Sequence, residues 1–143
     1  MRQAYPTFIA QSGSDFLVCV PDMDLYTEGK SVENAIDMAR DTIGRKGIDL
    51  EDDGKTLPTP SDYQGALLKA QEDTEDFDYS KGLLTLVDVD FAKYRRQVDN
   101  RMIRRNVTLP YWLNVAADQL NLNVSKVLQD ALAIKVSELR KEG

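Results

Sequence analysis

The sequence predicts an α+β protein built from two modules, and three observations predict it. Short runs of branched and aromatic residues, bounded by turn residues, recur through the first ninety positions. Apolar residues at helical spacing separate the third run from the fourth and dominate the end of the chain. Charge divides the chain in the same place. Residues 1–90 hold 8 Lys/Arg against 19 Asp/Glu, a net of -11, whereas residues 91–143 hold 10 against 5, a net of +5. The reading is a β-β-β-α-β domain over residues 1–90, a linker over 91–100 and a strand-helix-helix domain over 101–143.

"YPTFIAQ" (5–11) and "FLVCV" (16–20) are the first strands, and "SGSD" between them has the length and glycine of a hairpin turn. Pro21-Asp22 breaks the second strand, and "DLYTE" (24–28) adds a third before Gly29-Lys30. Ser31 is a helix N-cap with Glu33 in the first turn, where the helix dipole favours negative charge. Val32, Ala35, Ile36, Ala39 and Ile43 form one apolar stripe, and Gly47 after Arg45-Lys46 reads as the stop signal. Residues 49–81 look irregular apart from a short helix from Ser61 to about Gln71. "LLTLVDV" (83–89) is a buried strand that rejoins the sheet by a crossover.

"FAKYRRQVDNRM" after Asp90 is polar and basic, which suits a linker. In the tail, Leu109-Pro110 opens one helix, with proline where its missing N–H costs least. Leu113, Ala116, Ala117 and Leu120 form its apolar face. Asn123 caps a second helix carrying Val127, Leu128, Ala131, Leu132 and Ile134. No stretch has the length of a membrane span or the pattern of a secretion signal, so a cytoplasmic protein is expected. The single cysteine, Cys19, lies in an apolar run and reads as a buried thiol. The chain has no histidine, which removes the commonest general base and the usual zinc ligands. No catalytic residue, metal or cofactor is therefore assigned.

"NRMIRRNVTLPYW" (100–112) concentrates three arginines in an acidic protein of net charge -6. A lone short strand and two amphipathic helices cannot bury their own apolar faces. A homodimer solves this by pairing residues 102–109 antiparallel over four interlocked helices. Strand alternation then turns Val107 and Leu109 inward and Arg104, Asn106 and Thr108 outward. A two-stranded ribbon fits the DNA major groove, where Arg suits guanine, Asn suits adenine and Thr suits either. The N–H groups of Val124 and Ser125, at a helix start, are placed for a phosphate. Two plainer readings stand beside this: arginine as protection of a strand edge, and dimerisation without DNA.

The tail "RRNVTLPYWLNVAADQLNLNVSKVLQDAL" resembles the ribbon-helix-helix repressors in its alternating strand, "LP", amphipathic helix and "N-x-S" helix start. The resemblance implies base-reading roles for Arg104, Asn106 and Thr108. Arg101 is the candidate backbone contact. Arg105 lies on the inward parity, where that family has an apolar residue, and is left as a phosphate contact.

The first module resembles the HicB antitoxins. Tyr5-Pro6, Pro21-Asp22, Thr27-Glu28-Gly29, Ser31-Val32-Glu33-Asn34-Ala35 and the later "LPTPS" carry the likeness. It implies a partial RNase H-like fold and a HicA-type toxin, a small basic mRNA-cleaving protein, as partner. The acidic run at Glu72, Asp73, Glu75, Asp76 and Asp78 is the candidate toxin-binding surface by charge complementarity; a solvated loop is the plainer alternative. RNase H ancestry raises the question of metal-dependent cleavage through Asp22, Asp24, Asp88 and Asp90, but surface and turn carboxylates explain these residues better. The whole reads as an antitoxin that also represses its own operon, with room for a higher oligomer. A ribbon-helix-helix repressor whose first domain senses a small ligand is the alternative.

Overall fold

The computed structural model describes residues 2–72, 78–99 and 101–140. It divides into two units, Met1–Arg101 and Met102–Gly143. The first unit is a four-stranded antiparallel sheet with helices on both faces. Its strands are β1 (Arg2–Ser12), β2 (Asp15–Val20), β3 (Leu25–Gly29) and β4 (Leu83–Asp90), in the order β3-β2-β1-β4. The β1–β2 hairpin turns at Gly13, whose φ of 62° is open to glycine without strain. After helices α1 (Val32–Asp52) and α2 (Tyr63–Glu72), β4 crosses to the free side of β1, pairing from Arg2↔Asp90 to Ile9↔Leu83.

Strand alternation sends side chains to two cores. Tyr5, Ile9, Val18, Val20, Val87 and Val89 pack beneath Ala35, Ala39 and Ile43 of α1. On the opposite face, Phe8 and Cys19 pack against Ala66 and Ala70 of α2. Cys19 is thus the buried free thiol that its apolar run predicts.

Helix α1 starts as expected: Ser31 Oγ accepts the Asn34 N–H at 3.0 Å. It does not stop at Gly47. The helix runs on to Asp52, and Gly54, at φ 70°, takes the left-handed position past its end. The Gly54 N–H then donates to Glu51 O and the Lys55 N–H to Leu50 O, a Schellman closure.

Gly47 has a different use, tied to a second departure. Residues 91–98, expected as linker, form helix α3 (Phe91–Val98), capped by Asp90, whose side chain accepts the Lys93 N–H. Phe91 and Tyr94 are buried against α1. A Cβ on Gly47 would lie 2.1 Å from the Phe91 ring, and one on Gly44 2.7 Å from the Tyr94 ring. Two glycines in mid-helix are therefore seats for two aromatic rings. The Tyr94 hydroxyl donates to Asp41 Oδ1 at 2.6 Å, and burial followed by the Asp41 charge raises its pKa. Gly29 has a comparable role: its missing side chain lets β3 meet the first turn of α1, where a Cβ would lie 2.5 Å from Ala35 N.

In an exposed helix, glycine to alanine stabilises by roughly 0.5–1 kcal/mol. Gly47→Ala should instead destabilise by about 1–3 kcal/mol, through overpacking against Phe91. Urea unfolding of the two proteins reads the sign directly.

Candidate functional site

The second unit is a pair of helices preceded by a segment, residues 101–110, with no helix or strand pairing. Helix α4 (Tyr111–Gln119) follows Pro110, whose carbonyl accepts the N–H groups of Leu113 and Asn114, both at 3.1 Å. Asn121 takes the left-handed position past its end at φ 55°, and the Leu122 N–H closes back on Ala117 O. Asn123 Oδ1 then accepts the Lys126 N–H at 3.1 Å and caps helix α5 (Val124–Arg140). The sequence signals for both helices hold.

What this unit lacks is an inside. Among its described residues only Ala117 is buried. Leu109, Leu113, Ala117, Leu122, Val124, Val127 and Leu128 line an apolar hollow of about 130 Å³. Val107, Leu132, Ile134 and Leu139 are exposed as well.

Arg104, Arg105, Asn106 and Thr108 are all exposed. Among the described residues no hydrogen bond or ion pair engages the side chains of these four. The N–H groups of Val124 and Ser125 open the 17-residue helix α5 without an acceptor among the described residues, at the positive end of its dipole.

Arg101 is differently placed. Its guanidinium pairs with Asp99 at 2.7 Å and lies 3.7 Å from Asp52, within the first unit. The hydrogen bonds from Arg101 hold the Asp99 carboxyl down at about 2, and Asp99 in turn raises Arg101 above the usual guanidinium value. Arg95 of α3 joins the network through Glu51 and Asp52 at 3.1 and 3.0 Å. These arginines offset the carboxylates at the C-terminus of α1, where the dipole disfavours negative charge. The structure therefore groups Arg101 with α1 and α3. The basic excess read for the tail thins accordingly: residues 102–143 hold 6 Lys/Arg against 4 Asp/Glu, a net of +2.

In the first unit, three sequence motifs meet at one loop. The Asp22 side chain is fully buried and accepts from the Ser61 N–H at 2.8 Å, from the Ser61 hydroxyl, and from Lys69 Nζ at 2.6 Å. Burial alone would raise its pKa, but the bonds from Lys69 and Ser61 outweigh it and hold the carboxyl below 3.8. The Tyr5 hydroxyl donates to Pro58 O at 2.8 Å. "YP", "PD" and "LPTPS" are thus the two ends of one clasp. Lys69 was not singled out in the sequence, because its partner lies 47 positions away.

The other carboxylates are also occupied. Asp24 takes a left-handed turn position at φ 51°, Asp88 pairs with Arg2 at 2.6 Å, and Asp90 caps α3. Among the described residues no three carboxylate or thiol groups converge to hold a metal ion. In the acidic run, Glu72 ends α2 exposed, and Asp78 accepts from the Ser80 N–H at 3.1 Å. Asp73, Glu75 and Asp76 lie outside the described residues. Among the described residues no helix is long and apolar enough to cross a membrane.

An acidic α+β unit joined to an exposed, apolar helical pair is the layout of a regulator that works through partners. Residues 5–133 match the family described as HicB-like antitoxins of bacterial toxin-antitoxin systems, and the chain belongs to that family. No curated protein matches it. Among solved structures, it is similar to a chain of a toxin-antitoxin complex from Streptococcus pneumoniae. That chain is 27% identical, with 94% of this chain and 99% of that one covered and a TM-score of 0.58. The crystal structure of the Burkholderia pseudomallei antitoxin HicB is 22% identical, with 95% and 98% covered and a TM-score of 0.48.

Asp22→Ala should cost about 1–3 kcal/mol, because it strands the Ser61 donors and Lys69. Since folding lowers the Asp22 pKa, its contribution is complete above 3.8 and is lost as pH falls through the folded value. Asp22→Asn should flatten that part of the acid dependence, measured as urea midpoints across pH.

Proposed function

We propose that this antitoxin binds and neutralises a HicA-type mRNA-cleaving toxin through its first unit and represses its own operon through its second. In this reading the first unit is a partial RNase H-like domain and the second a ribbon-helix-helix domain, working in the cytoplasm. Family membership over residues 5–133 supports the antitoxin role. The likeness to a chain of a toxin-antitoxin complex supports a toxin as partner.

The observation that carries the DNA-binding half is the exposed apolar face of the second unit. Burying it requires a second copy. Antiparallel pairing of residues 102–109 in a homodimer supplies both the cover and a two-stranded ribbon. Arg104, Asn106 and Thr108 then share the outer face toward base edges, and the N–H groups of Val124 and Ser125 take a phosphate. Arg105 reaches a neighbouring phosphate. Arg101 can contact the DNA backbone only by leaving Asp99 and Asp52, so it contributes least.

Arg104→Ala should weaken operator binding by about 1–3 kcal/mol and relax the preference at one base position. Fluorescence anisotropy against a panel of operator variants tests this, and equal affinity for wild type and Arg104→Ala would remove the ribbon assignment. Wild-type affinity should also fall steeply with salt as counterions are released. For the toxin, neutralising Glu72, Asp73, Glu75, Asp76 and Asp78 should slow association at low salt and change it little at high salt. Stopped-flow measurement of the on-rate decides whether the acidic run steers encounter.

A further inference from the structure

The outer edge of β4 is built to pair with itself. Hydrogen-bond parity along this strand can be read from two independent observations. Pro6 of β1 stands opposite Leu86 and has no N–H, so that pair cannot exchange ladder bonds, and the Leu86 N–H and C=O point away from β1. Two residues on, the Asp88 carbonyl accepts from Arg40 Nε at 3.1 Å, which places it on the same outward parity. Leu84 shares that parity. Pro6 is tolerated in a central strand because its own bonding side faces the region past the end of β2, whose pairing with β1 begins at Phe8↔Cys19.

β4 is one edge of the sheet, and it lacks the usual protection there. Leu83–Val87 contains no charge and no proline. Leu83 is 62% and Leu86 66% exposed. Among the described residues no hydrogen bond engages the outward groups of Leu84 and Leu86. The segment is also palindromic in character: Leu84-Thr85-Leu86, flanked by Leu83 and Val87.

We infer that β4 pairs antiparallel with β4 of a second copy about a twofold axis through Thr85, joining two sheets into one. Leu84 then faces the partner's Leu86 in a hydrogen-bonded pair, and Leu86 faces the partner's Leu84. The four leucines lie on one face and cover one another. Arg40, on the Asp88 carbonyl, ends the ladder. The first unit's net negative charge does not prevent this, because Asp88 is neutralised by Arg2 and Arg40 and the rest is screened at moderate ionic strength. The interface is separate from the proposed dimer of the second unit and does not depend on it.

The test is disulfide trapping in the full chain. Thr85 sits on the axis as a non-hydrogen-bonded pair, so Thr85→Cys should cross-link under mild oxidation roughly tenfold faster than the exposed control Gln64→Cys. Such pairs hold their Cα atoms about 4.5 Å apart, within disulfide reach. Adding Leu86→Lys to Thr85→Cys should return the rate to that of the control, with an unchanged circular dichroism spectrum. Raising salt should speed trapping, because it screens repulsion between two acidic copies. Cross-linking of Thr85→Cys no faster than Gln64→Cys would overturn the proposal. So would trapping that slows with salt, which would point to a basic protein as the occupant of this edge.

Discussion

The first unit depends on β1 serving two neighbours at once. It gives five paired positions to β2 and eight to β4, and Pro6 lies among the latter without an N–H to contribute. A proline in a central strand is allowed only where its bonding side meets no strand, so β2 has to end before reaching it. That ending is the Pro21–Met23 turn, which carries Asp22 into the interior. Asp22 then holds Ser61 and Lys69, which fixes the loop before α2 and the helix itself over the second face of the sheet. One missing donor therefore organises the strand order, the buried carboxylate and the outward parity of β4.

Charge is distributed by task in a finer pattern than the two halves of the sequence suggest. Four basic residues beyond position 90, Lys93, Arg95, Arg96 and Arg101, fall within the first unit. Of these, Arg95 and Arg101 answer the carboxylates of the α1 C-terminus. What remains to the second unit is a small positive excess, with Arg104 and Arg105 together on its leading segment. A DNA contact made there relies on local arrangement, as base readout does, more than on a broad positive field.

Legibility in the sequence followed the range of the interactions. The hairpin at Gly13, the Ser31 and Asn123 caps and the apolar stripes of α1, α4 and α5 are local, and they were readable. The ends of α1 and the nature of residues 91–98 were not. Gly47 after two basic residues has the form of a C-cap, but its purpose is set by Phe91, 44 positions away. "FAKYRRQV" shows only two apolar anchors at helical spacing, Phe91 and Tyr94, too few to stand out from a linker. The Asp22 clasp was visible as separate motifs without the contact that joins them. For the second unit the sequence showed the need for a partner, and the single chain, with its open apolar face, shows the same need.

The account stands most directly on what the full chain assembles with. Native mass spectrometry of the protein co-expressed with the small open reading frame beside its gene reads this in one experiment. The account predicts a stable complex containing an even number of copies of this chain together with a small basic ribonuclease. A purified chain that carries no such partner, with growth arrest by the neighbouring protein unrelieved, would contradict it.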